Sequence, residues 1–177
     1  MAAPLTLEAL IDFLLQAPLF QALEPEELSV VVQRMEVEYV DAGGAVFEQG
    51  DPGDAWFVVY EGEVLVTRRA TGGERLIATL GVAESFGEMS LLDGERRSAT
   101  VRARSDLTVL RLPRLAFTQL LREGRMGAHK LVTQMALVLV RRQRSLTEKL
   151  LSLTETPDRE ELLASLLPVV DRQALEG

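Results

Sequence analysis

The chain has 177 residues, 47% of them hydrophobic, which is enough for one well-buried core and cramped for two full domains. A formal net charge of −8 and a pI near 4.8 argue against broad, nonspecific attraction to nucleic acid or anionic membrane, so any anion it binds must be captured locally. The absence of cysteine excludes disulfides, thiolate catalysis and Cys-ligated zinc or iron–sulfur clusters, and a reducing cytoplasm is the expected setting.

Residues 1–35 read as a helical segment. The stretch 5–23 is apolar enough to resemble a signal peptide, but it has no basic start and carries Glu8 and Asp12. Leu7, Leu10, Ile11, Leu14 and Leu15 recur at helical spacing, so it reads as an amphipathic helix closed by Pro18. Pro25-Glu26-Glu27 then opens a second short helix carrying Leu28, Val31 and Val32.

From 36 to 112 the texture changes to short runs rich in Val, Leu, Ile and Thr, punctuated by glycine turns such as Gly43-Gly44, Gly50-Asp51-Pro52-Gly53 and Gly72-Gly73. The clearest strands are 56–60, 64–66, 76–80 and 108–110. About eight strands with no long helix between them predict a β jelly roll, a mainly β fold with flanking α.

Residues 113–155 form the expected C-terminal helical lid. Pro113 starts a helical region, and Leu131, Met135, Val138, Leu146, Leu150 and Leu153 mark one stripe of a long helix over about 127–154. Thr156-Pro157-Asp158 then resembles an N-cap for a short acidic helix or tail over 156–177, reaching about Leu167. The longest apolar run, 135–140, is far short of the ~20 residues a bilayer span needs, so no membrane association is expected.

The segment between two strand-like runs, 84–101, carries the chemistry, and its cassette spans 85–99. Backbone N–H groups from Gly87 through Glu88 and Met89 to Ser90 open a short helical turn and form an anion cradle. Arg97 adds a planar fork matched to two phosphate oxygens. Glu88 is the odd member, because a carboxylate beside an anion needs a donor of its own, and a sugar hydroxyl is such a donor. The set therefore suits a sugar phosphate better than bare phosphate.

Phe86-Gly87-Glu88-Met89-Ser90-Leu91-Leu92, a short gap, and Arg97-Ser98-Ala99-Thr100-Val101 resemble the phosphate-binding cassette of cyclic-nucleotide-binding domains. The resemblance continues upstream through Pro18-Leu19-Phe20, 44–51 and 60–64, and covers roughly 19–150. It implies that Glu88 accepts from the ribose 2′-hydroxyl and that Arg97 pairs with the cyclic phosphate. Gly87, Met89, Ser90, Ser98 and Ala99 would offer donors around them.

The same resemblance implies that the long helix covers the base, with Arg141, Arg142 and Gln143 as the candidate contacts. Ser98 stands where a threonine would hint at cGMP, so cAMP is the expected ligand and cGMP the lesser one. The function implied is a regulatory module whose C-terminal helix moves on binding and switches an effector protein or domain. Family members that no longer bind cyclic nucleotides are the alternative.

Other classes fit less well. A cupin-like enzyme needs several histidines, and His129 stands alone on a helix; no nucleophile has an adjacent base, so neither catalysis nor a metal site is expected. The ligand-sensing part of a catabolite-activator-type transcription regulator requires the chain to be a fragment, since the residues after Thr156 offer one short helix with few basic residues and no direct nucleic-acid binding. Leu139 and Val140 widen the apolar surface of the long helix, which makes a homodimer through it the remaining partner expectation.

Overall fold

The computed structural model describes residues 5–155, and the side chains of 153–155 are outside that description. The expectations for the acidic segment 156–177 and for the side chain of Leu153 therefore fall outside the described residues.

Helix α1 (Leu7–Gln16) is capped by Thr6, whose hydroxyl accepts from the Ala9 N–H at 3.2 Å. A single 3₁₀ turn at Pro18–Phe20 follows, and α2 (Pro25–Val32) opens with proline in its first turn. At that end Glu27 accepts from the Glu24 N–H at 2.9 Å while Glu24 caps the helix reciprocally, so two otherwise orphaned donors are satisfied.

Eight strands follow: β1 (Glu36–Val40), β2 (Ala45–Phe47), β3 (Ala55–Glu61), β4 (Val64–Ala70), β5 (Gly73–Leu80), β6 (Ser85–Phe86), β7 (Thr100–Ala103) and β8 (Leu107–Pro113). They pair antiparallel in two four-stranded sheets, ordered β1-β8-β3-β6 and β2-β7-β4-β5. The chain crosses between the sheets at every connection except the β4–β5 hairpin, which is the jelly-roll closure the turn spacing predicts.

β3 explains where the two cores lie. Ala55 through Val59 are all buried, so the strand reads as a continuous apolar run and not as an alternation. Phe57 and Val59 point between the sheets, where they join Val64, Phe86, Val101 and Val109. Trp56 and Val58 point the other way with Leu110 and Leu112, against Leu14, Phe20, Leu28, Phe117 and Leu131 of the helices. One strand thus couples the barrel interior to the helical layer.

After β8, α4 (Arg114–Arg122) returns over that layer, and α5 (Met126–Glu155) runs for 30 residues. The stripe expected along α5 divides in two. Leu131 and Met135 are fully buried against the bundle and Val138 packs at its edge, whereas Leu146 and Leu150 are exposed. The helix simply outruns the body it packs on. No helix among the described residues is long and apolar enough to cross a membrane.

The root of α5 is clasped to α2. A Cβ added to Gly127 would lie 2.9 Å from the backbone oxygen of Glu27, so the two helices touch at a position only glycine allows. One turn on, Lys130 Nζ donates to Glu27 Oε2 at 2.6 Å. That hydrogen bond, followed by the one from the Glu24 N–H, holds the Glu27 carboxyl below its ordinary pKa.

Two outcomes follow. Gly127→Ala lowers the melting temperature in a thermal denaturation scan despite the better helix propensity of alanine, because the obstructing atoms are backbone. For Glu27 the folded pKa lies below the unfolded one, so its contribution is present above the unfolded carboxylate value and is lost as pH falls through the folded value. Melting curves of wild type and Glu27→Gln, separate at neutral pH, therefore converge below about pH 4.

Candidate functional site

The short α3 (Glu88–Asp93) is inserted between β6 and β7 and begins at Gly87, which has φ 83°, in the left-handed region. A Cβ there would also stand 2.7 Å from Arg97 Nη1 and 3.3 Å from the Ala55 oxygen, so Gly87 is required twice over. On the far side, a Cβ on Gly53 would fall 2.2 Å from Ser90 Cβ, and the turn before β3 seats α3 from behind. The N–H groups at the start of α3 have no carbonyl a turn earlier to bond to.

Arg97 lies on the floor of the barrel with only 1% of its side chain exposed. Its Nη2 donates to Asp54 Oδ1 at 3.2 Å and its Nη1 to the Gly87 oxygen at 3.4 Å. The guanidinium carbon stands 4.1 Å from the centre of the Phe47 ring and 5.6 Å from that of Phe57, so two aromatic faces shield the cation. Burial pulls its pKa down and the Asp54 charge and hydrogen bond oppose that pull. Its Nε is buried and has no hydrogen-bond partner, which leaves one donor of a charged group unsatisfied.

Asp54 is shared. Its other oxygen accepts from Arg111 Nη2 at 2.8 Å, and Arg111 Nη1 donates to Glu36 at 2.7 Å. Burial acts against the Arg111 charge, but the hydrogen bonds from it to Glu36 and Asp54 outweigh burial and raise its pKa. The floor arginine is thus tied through Asp54 to β8 and the β1 edge.

Glu88, with 4% of its side chain exposed, faces α5. Arg142 reaches in from that helix, donating through Nη1 to Glu88 Oε1 and through Nη2 to the Ser85 oxygen at 3.0 Å. Between these groups lies a cavity of about 620 Å³, walled by Phe47, Val66 and Ala78 on the strands and by Leu139, Arg142 and Leu146 on α5.

All seven cassette residues expected from the sequence, Gly87, Glu88, Met89, Ser90, Arg97, Ser98 and Ala99, line this cavity. Of the three helix candidates, Arg142 and Gln143 line it too. Arg141 does not: it is exposed and donates back to the Leu137 oxygen of its own helix at 3.4 Å, because one residue is a 100° rotation away from Arg142. Sequence reasoning missed Phe47, Asp54 and Arg68. Phe47 packs against the core between the sheets, a position alternation can mark; Arg68 is exposed on a strand whose burial does not alternate and Asp54 is in a turn, so no spacing marks either.

Fold and cavity together define a barrel that holds a buried cation, a paired carboxylate and a helix across its mouth. A family model described as "Cyclic nucleotide-binding domain" matches residues 37–123, from β1 through α4. The chain belongs to the cyclic nucleotide-binding domain family. It is 39% identical over 144 residues to the "Cyclic AMP receptor protein" of Thermus thermophilus, covering 81% of this chain and 66% of that protein. It is 34% identical over 114 residues to a "cAMP-dependent protein kinase regulatory subunit" of Mycosarcoma maydis, covering 62% of this chain and 22% of that one. The solved N-terminal domain of a transcriptional regulator from Streptomyces coelicolor superposes with a TM-score of 0.64 at 30% identity, covering 76% of this chain and 96% of that one. The chain therefore spans less than two thirds of these two full-length relatives.

The contact between Arg142 and Glu88 generates its own test. Arg142→Ala leaves a buried carboxylate without its cation, which costs about 1–3 kcal/mol. The melting temperature of the ligand-free protein falls, and hydrogen exchange of 137–151 accelerates relative to wild type.

Proposed function

We propose that the chain is a cyclic-nucleotide-binding regulatory module, with cAMP as its ligand, that signals through movement of α5. The observation that carries this reading is the unpartnered Nε of Arg97, a buried donor on a fixed cation at the cavity floor. A cyclic phosphate supplies the acceptor that donor lacks and adds a second negative charge to the one Asp54 provides. The α3 N–H groups add to the same subsite, and Ser98 and Ala99 flank it.

Glu88 takes the ribose 2′-hydroxyl in this reading, and its present partner is Arg142 on the lid. A hydroxyl donating to Glu88 competes with or joins the Arg142 guanidinium, so filling the cavity acts on α5 directly. A ligand shifts the helix only by its difference in affinity between the two arrangements, and this shared carboxylate is where that difference arises. The residues 113–155 then serve as the lid and the jelly roll as the sensor. The receiver is an effector protein or domain, and the exposed Leu137, Val140 and Leu151, which share one side of α5, offer it an apolar face.

A second reading makes the chain the ligand-sensing part of a catabolite-activator-type regulator, paired with a second copy along α5. It is favoured by the 39% identity to the Thermus receptor across 81% of the chain. Sedimentation velocity separates the two: a dimer whose dissociation is promoted by Leu146→Glu supports the second, and a monomer with and without cAMP supports the first.

Calorimetric titration with cAMP tests the common core of both. Removing one partner of a buried charged pair costs about 2–5 kcal/mol, so Arg97→Ala weakens cAMP by about thirtyfold or more. Undiminished affinity would sink the assignment. Titration with 2′-deoxy-cAMP probes Glu88 in the same way, with weaker binding to wild type and no difference between the two ligands in Glu88→Gln.

A further inference from the structure

Sulfur enters this chain only as methionine, at five positions and with no cysteine. Met135 is buried in the helical core, and Met35 packs half-buried against it. Met89 and Met126 are both open to solvent, at 47% and 59% exposure, so access alone does not separate them. Their surroundings do. Met126 opens α5 at its root and is not part of the cavity wall, whereas Met89 stands in the first turn of α3 and lines the cavity.

The short helix α3 turns Glu88, Ser90 and Leu91 inward, which sends Met89 out to the lip of the cavity. There the Ser98 hydroxyl donates to Met89 Sδ at 3.8 Å. A thioether is a weak acceptor, so that hydroxyl is only loosely held. Ser98 itself lines the cavity beside Arg97. A sulfur that solvent reaches is thus in contact with a polar group of the phosphate subsite.

Resting on the cyclic-nucleotide reading of this cavity, we propose that Met89 is an oxidation site at which a hydroperoxide weakens nucleotide binding. With hydrogen peroxide, a lone pair on Sδ attacks one peroxide oxygen, and the S–O bond forms as the O–O bond breaks. The proton on the transferred oxygen passes to the departing one, which leaves as water. The thioether is oxidised by two electrons and the peroxide reduced by the same two. The sulfoxide is polar where the thioether was apolar, and methionine sulfoxide reductases reverse the change. Its oxygen accepts more strongly than sulfur, so it retains the Ser98 hydroxyl on which a cyclic phosphate draws. It also sets the negative end of the S–O dipole beside the charge of the phosphate. Loss of one such hydrogen bond to the ligand weakens binding by roughly threefold to tenfold. In the other direction, a nucleotide seated in the cavity covers Sδ and slows its oxidation.

Hydrogen peroxide treatment of the full chain, read by peptide mass spectrometry and by calorimetric titration with cAMP, tests the proposal, with melting curves to show that the treated protein stays folded. Sulfoxide accumulates at Met89 and Met126 ahead of Met35 and Met135, and saturating cAMP protects Met89 but not Met126. The oxidised protein binds cAMP roughly threefold to tenfold more weakly, and methionine sulfoxide reductase restores the affinity. Met126→Leu loses affinity on oxidation as wild type does. Met89→Leu, whatever its own affinity, loses none. A loss that persists in Met89→Leu would move the effect to another residue and overturn the proposal. Complete sulfoxide at Met89 with unchanged affinity would overturn it too, as would equal oxidation of Met89 with and without cAMP. A wild-type protein that binds no cAMP before peroxide is added overturns the cyclic-nucleotide reading itself, a result told apart from the others because it precedes any oxidation.

Discussion

A guanidinium with almost no exposed surface has given up its hydration, and the fold around Arg97 is arranged to offset that loss. Phe47 and Phe57 cover its faces, the Gly87 oxygen takes one donor, and Asp54 supplies the counter-charge. These partners come from β2, β3, the turn before β3 and the start of α3, so moving any of them disturbs the cation. The left-handed Gly87 and the tight seat of α3 against Gly53 follow from the same demand, because a side chain at either position would push into the arginine or the helix that flanks it. Only the cation is buried, since Asp54 stays largely exposed, and removing the partners of a buried charge is costly, which restricts how the barrel floor can vary.

The mouth of the barrel is governed by a different balance. Glu88 is buried and negative, and the cation that answers it is carried by a separate helix, not by the cassette. Arg142 also bonds the Ser85 oxygen, so α5 is anchored to β6 and α3 by one side chain. At its root the helix is held by Gly127 and Lys130 against α2. Between those two points it is packed through Leu131 and Met135. The helix is thus fastened firmly at its base and, farther along, by a polar contact that reaches into the cavity.

Much of this was legible in the residues themselves. Glycine turns at regular spacing announced the strands, Pro18 and Pro25 bounded the first helices, and the ordered run from Phe86 to Ala99 marked the cassette because its chemistry is contiguous. What was hidden depends on distance in sequence. Asp54 meets Arg97 across 43 positions and Glu88 meets Arg142 across 54, and neither spacing carries a periodic signal. The choice among Arg141, Arg142 and Gln143 needed the rotation of α5, which its apolar stripe left undetermined once the helix passed the edge of the core. Arg68 was overlooked because it is one of two adjacent exposed arginines, Arg68 and Arg69, on a strand whose burial does not alternate.

The length of α5 has a mechanical side. A helix of 30 residues is about 45 Å long at 1.5 Å per residue, and its pivot lies in the first turn, where Gly127 meets α2. Arg142 acts about 22 Å from that pivot, so the far end lies at nearly twice its radius. A displacement of about 2 Å at the carboxylate becomes about 4 Å at the tip if the helix stays straight. In the proposed switch this length acts as gearing, with a change the size of a single hydrogen bond at the cavity enlarged toward the exposed leucines beyond.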